Sequence, residues 1–250
     1  MSPSFIFRRV AIACFTIILI AVISVSCGKD RGREELIRGK AALETKDYAN
    51  AVTYFMLAAD KGSAEAQYEL AQCYYWGKGV ERDDDKFLNW IRKAAENGHA
   101  EAQFILAKCC EKDIGNGTDG KEVVDWYRKA AENGHAEAQY ELALRYYEGR
   151  GVEPDGKKAV NWIRKAAEND HAGAQYFLAK CYEEGFLGVK KDIAEAIKWY
   201  RKAGEKRNGY VIEAEGDLKR LGAIPAGAED GDSLRQLQEM DKDDSNDINF

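Results

Sequence analysis

Proline is scarce, with three residues in 250, far too few for a collagen-like chain. Cysteine is sparse too, six in all, which excludes a dense disulfide scaffold at this length. Only one long apolar run occurs, Val10 to Val25, so a multi-span channel is excluded. Nor is there any excess of positive charge. The formal net charge is −6 and it is unevenly placed. From Ala223 to Phe250 the acids are Glu229, Asp230, Asp232, Glu239, Asp241, Asp243, Asp244 and Asp247, against Arg235 and Lys242. That segment accounts for the whole excess, and the rest of the chain is neutral. A neutral body lacks the cationic face that phosphate neutralisation requires, which argues against nucleic acid as a partner.

What is present first is an address. Arg8 and Arg9 precede the apolar run, and Ser26, Cys27 and the polar Gly28-Lys29-Asp30 follow it. This resembles a bacterial lipoprotein signal, and the resemblance implies cleavage before Cys27 and lipidation of that cysteine. Ser24 departs from the pattern, which prefers leucine three residues before the cysteine. Ordinary secretory cleavage and an uncleaved anchor are the alternatives, and all three place the body outside the cytoplasm. A lipid-modified terminal cysteine carrying several acyl chains would suffice for stable anchoring. At the other end, the acidic segment opens with Pro225 and is polar thereafter; it is expected to be mostly disordered, with a short helix around Leu234–Met240. The expected organisation is a signal peptide at 1–26, an anchor and linker at 27–35, a repeat solenoid at 36–222 and an acidic tail at 223–250.

Between these ends lies a repeat with a 36-residue period. The segment KAAENGHAEAQ stands at Lys93–Gln103 and unchanged at Lys129–Gln139, and KAAENDHAGAQ runs from Lys165 to Gln175. Trp90, Trp126 and Trp162 keep the spacing, as do His99, His135 and His171, and Leu70, Leu106, Leu142 and Leu178. Trp199 falls one residue late because Phe186-Leu187 lengthens the preceding loop. Each unit reads as two helices. An aspartate at 47, 84, 119, 155 and 192 opens the first, where its carboxylate accepts orphan amide bonds and suits the dipole. Apolar residues then fall at helical spacing, for example Ala159, Trp162, Ile163, Ala166 and Ala167. Gly98 and Gly134 end that helix, and Asp170 stands in their place in the fourth unit. The second helix, Ala136–Glu148 in one unit, carries Ala138, Leu142, Ala143 and Tyr146 on one side and ends in a Gly-x-Gly-Val loop. Arg33–Thr45 reads as a helix that begins the stack, and Tyr210–Leu221 as a polar closing helix. One helical pair cannot bury its own apolar face; stacked neighbours make a continuous core.

These residues resemble the Sel-one-like repeat (SLR) family, related to tetratricopeptide repeats, through the pattern A-x-x-W-[IY]-x-K-A-A-E-x-G-H-A-x-A-Q-[YF]-x-L and the Gly-x-Gly-Val loop. The resemblance covers roughly Leu36 to Gly222. Alanine at 71, 107, 143 and 179, where the family often has glycine, and the absence of valine from the Ile114–Thr118 loop depart from the pattern. It implies an all-α fold, a right-handed α/α superhelical solenoid of about five helix–turn–helix repeats. It also implies a scaffold or adaptor that binds other proteins; it does not imply a reaction, and no enzyme activity and no cofactor are expected.

Candidate chemistry is thin. The histidines recur at one repeat position, so they lie about 8–10 Å apart or more, whereas metal bonds require nitrogen within about 2 Å. Ser63 holds the same position, which points to a polar residue at the second helix start. The match of Gly115–Gly120 to G-x-G-x-x-G follows a helix and falls on the repeat loop, so it reads as a turn. Cys73, Cys109 and Cys181 occupy equivalent positions, too far apart for a disulfide, and read with Cys110 as free, mostly buried thiols. No catalytic constellation and no metal site emerge.

The functional lead is the polar face of the first helices. Arg92, Arg128, Arg164 and Arg201 are equivalent, each four residues before Glu96, Glu132, Glu168 or Glu205. One reading is a solvated face of i,i+4 ion pairs. The other is a partner-binding ladder, in which Asn89, Asp125, Asn161 and Lys198 vary between units beside each arginine and supply specificity. An extended acidic peptide would suit the arginines, and the chain's own tail is one such peptide. The expectation is a monomeric, lipid-anchored scaffold of the bacterial cell envelope, facing the periplasm or exterior, that binds a protein or peptide through the concave face. An envelope enzyme acting on cell-wall material and a structural assembly protein are the alternatives.

Overall fold

An aspartate whose carboxylate meets the amide three residues on is where the first helix of a unit starts. The computed structural model describes residues 32–112, 120–205 and 210–224, and among these all regular structure is helical. In chain order the helices are α1 (Arg33–Glu44), α2 (Tyr48–Asp60), α3 (Ala64–Trp76), α4 (Asp84–Glu96), α5 (Ala100–Lys112) and α6 (Gly120–Glu132). They continue with α7 (Ala136–Glu148), α8 (Gly156–Glu168), α9 (Ala172–Glu184), α10 (Ile193–Glu205) and α11 (Val211–Arg220). The expectations placed on Cys27, Asp119, the Ile114–Thr118 loop, most of Gly115–Gly120 and the tail beyond Ile224 lie outside the described residues.

Asp47, Asp155 and Asp192 accept from the amides of Asn50, Lys158 and Glu195. In the second unit the cap is Asp83, not Asp84 as the register suggested: Asp83 is extended, with φ −151°, and accepts from Lys86 N at 2.9 Å. One residue later the backbone is already helical, so the Asp84 carboxylate cannot reach the third amide and is instead held by Arg82 at 3.0 Å. First helices end in a Schellman turn. Gly98 N donates to Ala95 O and His99 N to Ala94 O, which requires a left-handed residue between helix and exit. Gly98, Gly134 and Asp170 supply it, with φ of +90°, +88° and +64°.

The residue after that turn caps the next helix. The Ser63 hydroxyl accepts from Ala66 N, and Nδ1 of His99, His135 and His171 accepts from the amides of Ala102, Ala138 and Ala174 at 3.0–3.2 Å. The repeated histidine is therefore an N-cap, and its Nδ1 must be the unprotonated nitrogen. In the Gly-x-Gly-Val loop the second glycine presses on the start of an earlier first helix. A Cβ on Gly79 would collide with Tyr48 O, and one on Gly151 with Gly120 O.

The chain divides into two compact units, Met1–Ala102 and Gln103–Phe250. In the first, α1 to α4 pack sequentially around Ala51, Val52, Phe55, Ala58, Leu70 and Cys73. In the second, α6 to α11 do so around Val160, Ile163, Leu178, Trp199, Tyr200 and Leu218. Alanines at 0% exposure, such as Ala94, Ala130 and Ala166, let the backbones approach, while each buried leucine contributes about 2 kcal/mol.

A polar rung crosses this core once per unit. The buried amide of Gln67 donates to Ala59 O and accepts from Asn97; Gln139 donates to Ala131 O and accepts from Asn169. Gln103 accepts from Asn133 in the same way. Buried amides demand such partners, and these bonds fix the stagger of each first helix on the second helix before it.

Candidate functional site

The four tryptophans of α4, α6, α8 and α10 each lie under a lysine three residues on, one turn along the same face. Lys93 sits 4.0 Å from the Trp90 ring centre, Lys129 3.7 Å from Trp126, Lys165 4.1 Å from Trp162 and Lys202 4.7 Å from Trp199. Burial of the indole edges and the exposure of the ammonium groups fit a cation–π contact. Sequence reasoning missed this stack, although the Trp-x-x-Lys spacing carried the signal.

Beside each stack stand the residues expected to bind a partner. Asn89, Asp125, Asn161 and Lys198 are all exposed; Arg92 is exposed, whereas Arg128, Arg164 and Arg201 are half-buried. Arg128 and Arg164 have partners other than the glutamates four residues on. Arg128 instead pairs with Asp125 at 2.5 Å and bonds the Tyr146 hydroxyl, and Arg164 donates to the Tyr182 hydroxyl at 3.4 Å. A tyrosine eighteen residues on, on the following second helix, offers a shielded acceptor, which a solvated glutamate does not match. Burial opposes the charge on Arg128, and the bonds to Tyr146 and Asp125 more than restore it, so its pKa is raised. Lys198 pairs with Glu195 at 3.1 Å. On α8 the structure brings Asn161 and Arg164 together with Lys158, Trp162, Lys165 and Glu168 around an open depression of about 450 Å3. Cys27 lies outside the described residues.

A second pattern went unread. At one position near the end of the second helices the chain has Tyr75, Glu111, Tyr147 and Glu183; sixteen or seventeen residues later it has Ile91, Tyr127, Ile163 and Tyr200. The layers therefore alternate. At Glu111, Tyr127 donates a 2.8 Å bond and Arg145 a 2.5 Å one, with the guanidinium 4.9 Å from the Tyr127 ring centre. Arg145 is only 2% exposed. Burial disfavours the Glu111 carboxylate, but the Tyr127 bond and the Arg145 charge outweigh it and its pKa is lowered, while burial pushes the Tyr127 phenol up. Two units on, Glu183 accepts from Tyr200 at 2.6 Å and pairs with Arg220 at 2.6 Å. The intervening layer holds Tyr147, Ile163 and Cys181, with Tyr147 edge-on to Phe177 and Phe186.

The histidines are held on three sides. Each imidazole stacks on an aromatic ring of the preceding unit, Tyr68 on His99, Phe104 on His135 and Tyr140 on His171, with centres 4.3–4.6 Å apart. Nε2 of His99 and His171 meets Glu65 and Glu137 at 3.3 and 2.8 Å. Burial lowers the His99 pKa, with Glu65 pulling the other way. These contacts account for the histidines structurally. Among the described residues no disulfide joins Cys73, Cys109, Cys110 and Cys181, and burial pushes Cys73 up to about 11 and Cys181 up to about 12, which suppresses the thiolate.

Comparison with known proteins bears on this arrangement. The family model for the Sel1 repeat matches residues 38–63, 64–99, 100–135, 136–171 and 172–208. A crystal structure of a Sel1 repeat protein from Oxalobacter formigenes is 35% identical with a TM-score of 0.62, over 70% of this chain and 50% of that one. A protective antigen of uropathogenic Escherichia coli with an SLR fold is 29% identical with a TM-score of 0.43, over 70% of this chain and 45% of that one. The rat DAP3-binding cell death enhancer 1 (Rattus norvegicus) is 42% identical over 48 residues, 19% of this chain and 9% of its own length. The chain thus spans about half of those solved structures and under a tenth of that curated relative. Five matched repeats, whose helices, turns and caps the structure places in the same order, show that the chain belongs to the Sel1 repeat family.

Proposed function

We propose that the protein is a non-catalytic scaffold of the bacterial cell envelope, held to a membrane by lipid on Cys27, that grips an extended protein segment along the first helices α6, α8 and α10. One observation carries this reading: a constant Trp–Lys stack recurs on α4, α6, α8 and α10 while the exposed neighbour changes, from Asn89 to Asp125, Asn161 and Lys198. A constant aromatic–cation platform gives grip, and a variable polar residue beside it gives selectivity, which is how a uniform repeat acquires a particular client. Repeat families present such surfaces for protein binding, and the exposed lysines and amides suit a polar, acidic segment better than an apolar one.

The test places a photo-crosslinking residue at Asn161 and, as control, at Glu184 on α9, both exposed, and identifies adducts from living cells. A dominant protein adduct from position 161 alone is expected. The same adducts from both positions, or none from either, would reject the face. Anchoring is tested separately: Cys27→Ala should release the protein from the membrane fraction and abolish incorporation of labelled palmitate. Retention of both would reject lipidation at Cys27.

A further inference from the structure

The first helices differ sharply in charge. α4 and α6 each carry three basic and three acidic residues. α8 carries Lys157, Lys158, Arg164 and Lys165 against Glu168 alone, and α10 carries Lys198, Arg201 and Lys202 against Glu195 and Glu205, with Lys190 and Lys191 just before it. The cationic excess is thus three charges on α8 and one on α10. It coincides with the depression lined by Lys158, Trp162 and Lys165 and with the Lys202–Trp199 stack.

The acidic tail leaves from the core that these helices help to build. Ile224, the last described residue, is 3% exposed and belongs to the cluster that also holds Val160 and Ile163 of α8 and Trp199 and Tyr200 of α10. The chain therefore leaves the core of the second compact unit, to which both helices contribute. Twenty-six residues follow, with eight acids against two bases. Extended, they span about 85 Å. The first acid, Glu229, comes five residues on, a reach of about 16 Å.

From this charge complementarity and exit point we propose that residues 225–250 dock in cis on the cationic face of α8 and α10, as an acidic strap that any external ligand must displace. The inference rests on the reading of the first helices as a binding face and names its resident occupant. A tether of this length holds the tail at roughly millimolar effective concentration, so charge pairing with a Kd of about 0.1 mM occupies the face most of the time. Pairing of exposed charges is screened within about 8 Å at 0.15 M salt, so raised ionic strength releases the strap. Leu234, Leu237 and Met240, interspersed among the acids, provide apolar contact for the exposed parts of Trp162 and Trp199.

The experiment uses the full chain. Carbodiimide coupling, which joins only carboxylates and amines already in contact, should link residues 229–247 to Lys157, Lys158, Lys165, Lys198 or Lys202 in monomeric protein, with yield falling as salt rises. A fluorescein-labelled peptide of residues 229–247 should bind about tenfold more tightly to a full chain with the eight tail acids changed, Asp to Asn and Glu to Gln, than to the unaltered chain. Lys158→Glu with Lys165→Glu should abolish that binding. Coupling spread evenly over Lys61 and Lys78 as well, or found only in covalent dimers, would overturn the cis strap. Equal peptide binding to both chains would overturn it while leaving the binding face intact. No binding to either chain and no coupling would sink both the strap and the acidic-ligand reading of α8 and α10.

Discussion

The layer around Glu111 and the layer around Tyr147 share a backbone plan and fill it with opposite chemistry. The first is a desolvated polar triad, Glu111, Tyr127 and Arg145; the second has Tyr147, Ile163 and Cys181 at the same positions, the last two fully buried. Within this one sequence the choices travel together. The two glutamate–tyrosine layers each take an arginine from the next helix, Arg145 at Glu111 and Arg220 at Glu183, the latter two residues past the equivalent Leu218, while isoleucine is followed by cysteine, as in Ile163 and Cys181. The core thus repeats every second unit, and the polar layers are complete sets rather than isolated substitutions. A buried ion pair is worth little against a well-packed apolar set, but half of one is costly.

The largest expected effect breaks a set. Arg145→Ala leaves Glu111 without its cation and opens a cavity, and should cost about 3–5 kcal/mol in denaturant unfolding. Importing the whole neighbouring layer, Glu111→Tyr with Tyr127→Ile and Arg145→Cys, should recover all but about 1.5 kcal/mol. A triple variant no more stable than Arg145→Ala would refute the idea of interchangeable layers.

Next come features common to every layer, which should cost the same wherever they are changed. Gly79→Ala and Gly151→Ala each force a side chain onto a carbonyl at φ of +74° and +73°, and should each cost about 1–3 kcal/mol. A difference of more than about 1 kcal/mol between them would tie the loop to the type of layer beside it.

The histidine caps are smaller and depend on pH. His171→Ala should cost about 1 kcal/mol at pH 7.5, and His171→Ser less, because serine caps the equivalent helix at Ser63. Protonation of Nδ1 removes the acceptor and sets a positive charge against a helix N-terminus. For His99 the folded pKa is lowered, so its contribution is fully present above the unfolded value of about 6.5 and is lost as the pH falls below it. Thermal unfolding from pH 7.5 to 5.5 should show that loss in the parent and a reduced loss in His99→Ser; parallel curves would contradict it.

The smallest effect belongs to the binding face. Lys165→Gln removes a cation over Trp162 and should cost only about 0.5 kcal/mol of stability, while a ligand that uses the face should notice it. A large loss of stability would mark the stack as structural.

The unit length, the helix pairs and the polar cap at the histidine position were legible because a fixed period reveals what each position does in several copies at once. Asp83 escaped because two adjacent aspartates satisfy the same pattern and only the backbone angle decides between them. The partners of Arg128 and Arg164 escaped for a different reason: spacing along one helix says nothing of a hydroxyl arriving from the next, such as Tyr182 at Arg164. The Glu111 triad was hidden by alignment at 36 residues, which treats Glu111 and Tyr147 as noise around an average when they are alternate members of a longer period. At the face itself, Asn161 and Lys198 stand exposed, which is where a contact would need them, but exposure is shared by many solvated residues and does not by itself select a ligand.

The buried rung of Gln67, Gln103 and Gln139 has a consequence for growth of the array. Each glutamine carbonyl takes its hydrogen from an asparagine thirty residues on, in the next unit. Gln175 is buried alike and donates to Ala167 O, yet among the described residues its carbonyl oxygen has no donor; the thirty-residue register, shifted by the longer loop, falls on Lys206 instead of asparagine. A duplicated 136–171 segment inserted after His171 would bring its own asparagine and its own glutamine, so the array can be lengthened there without leaving another buried carbonyl unpaired.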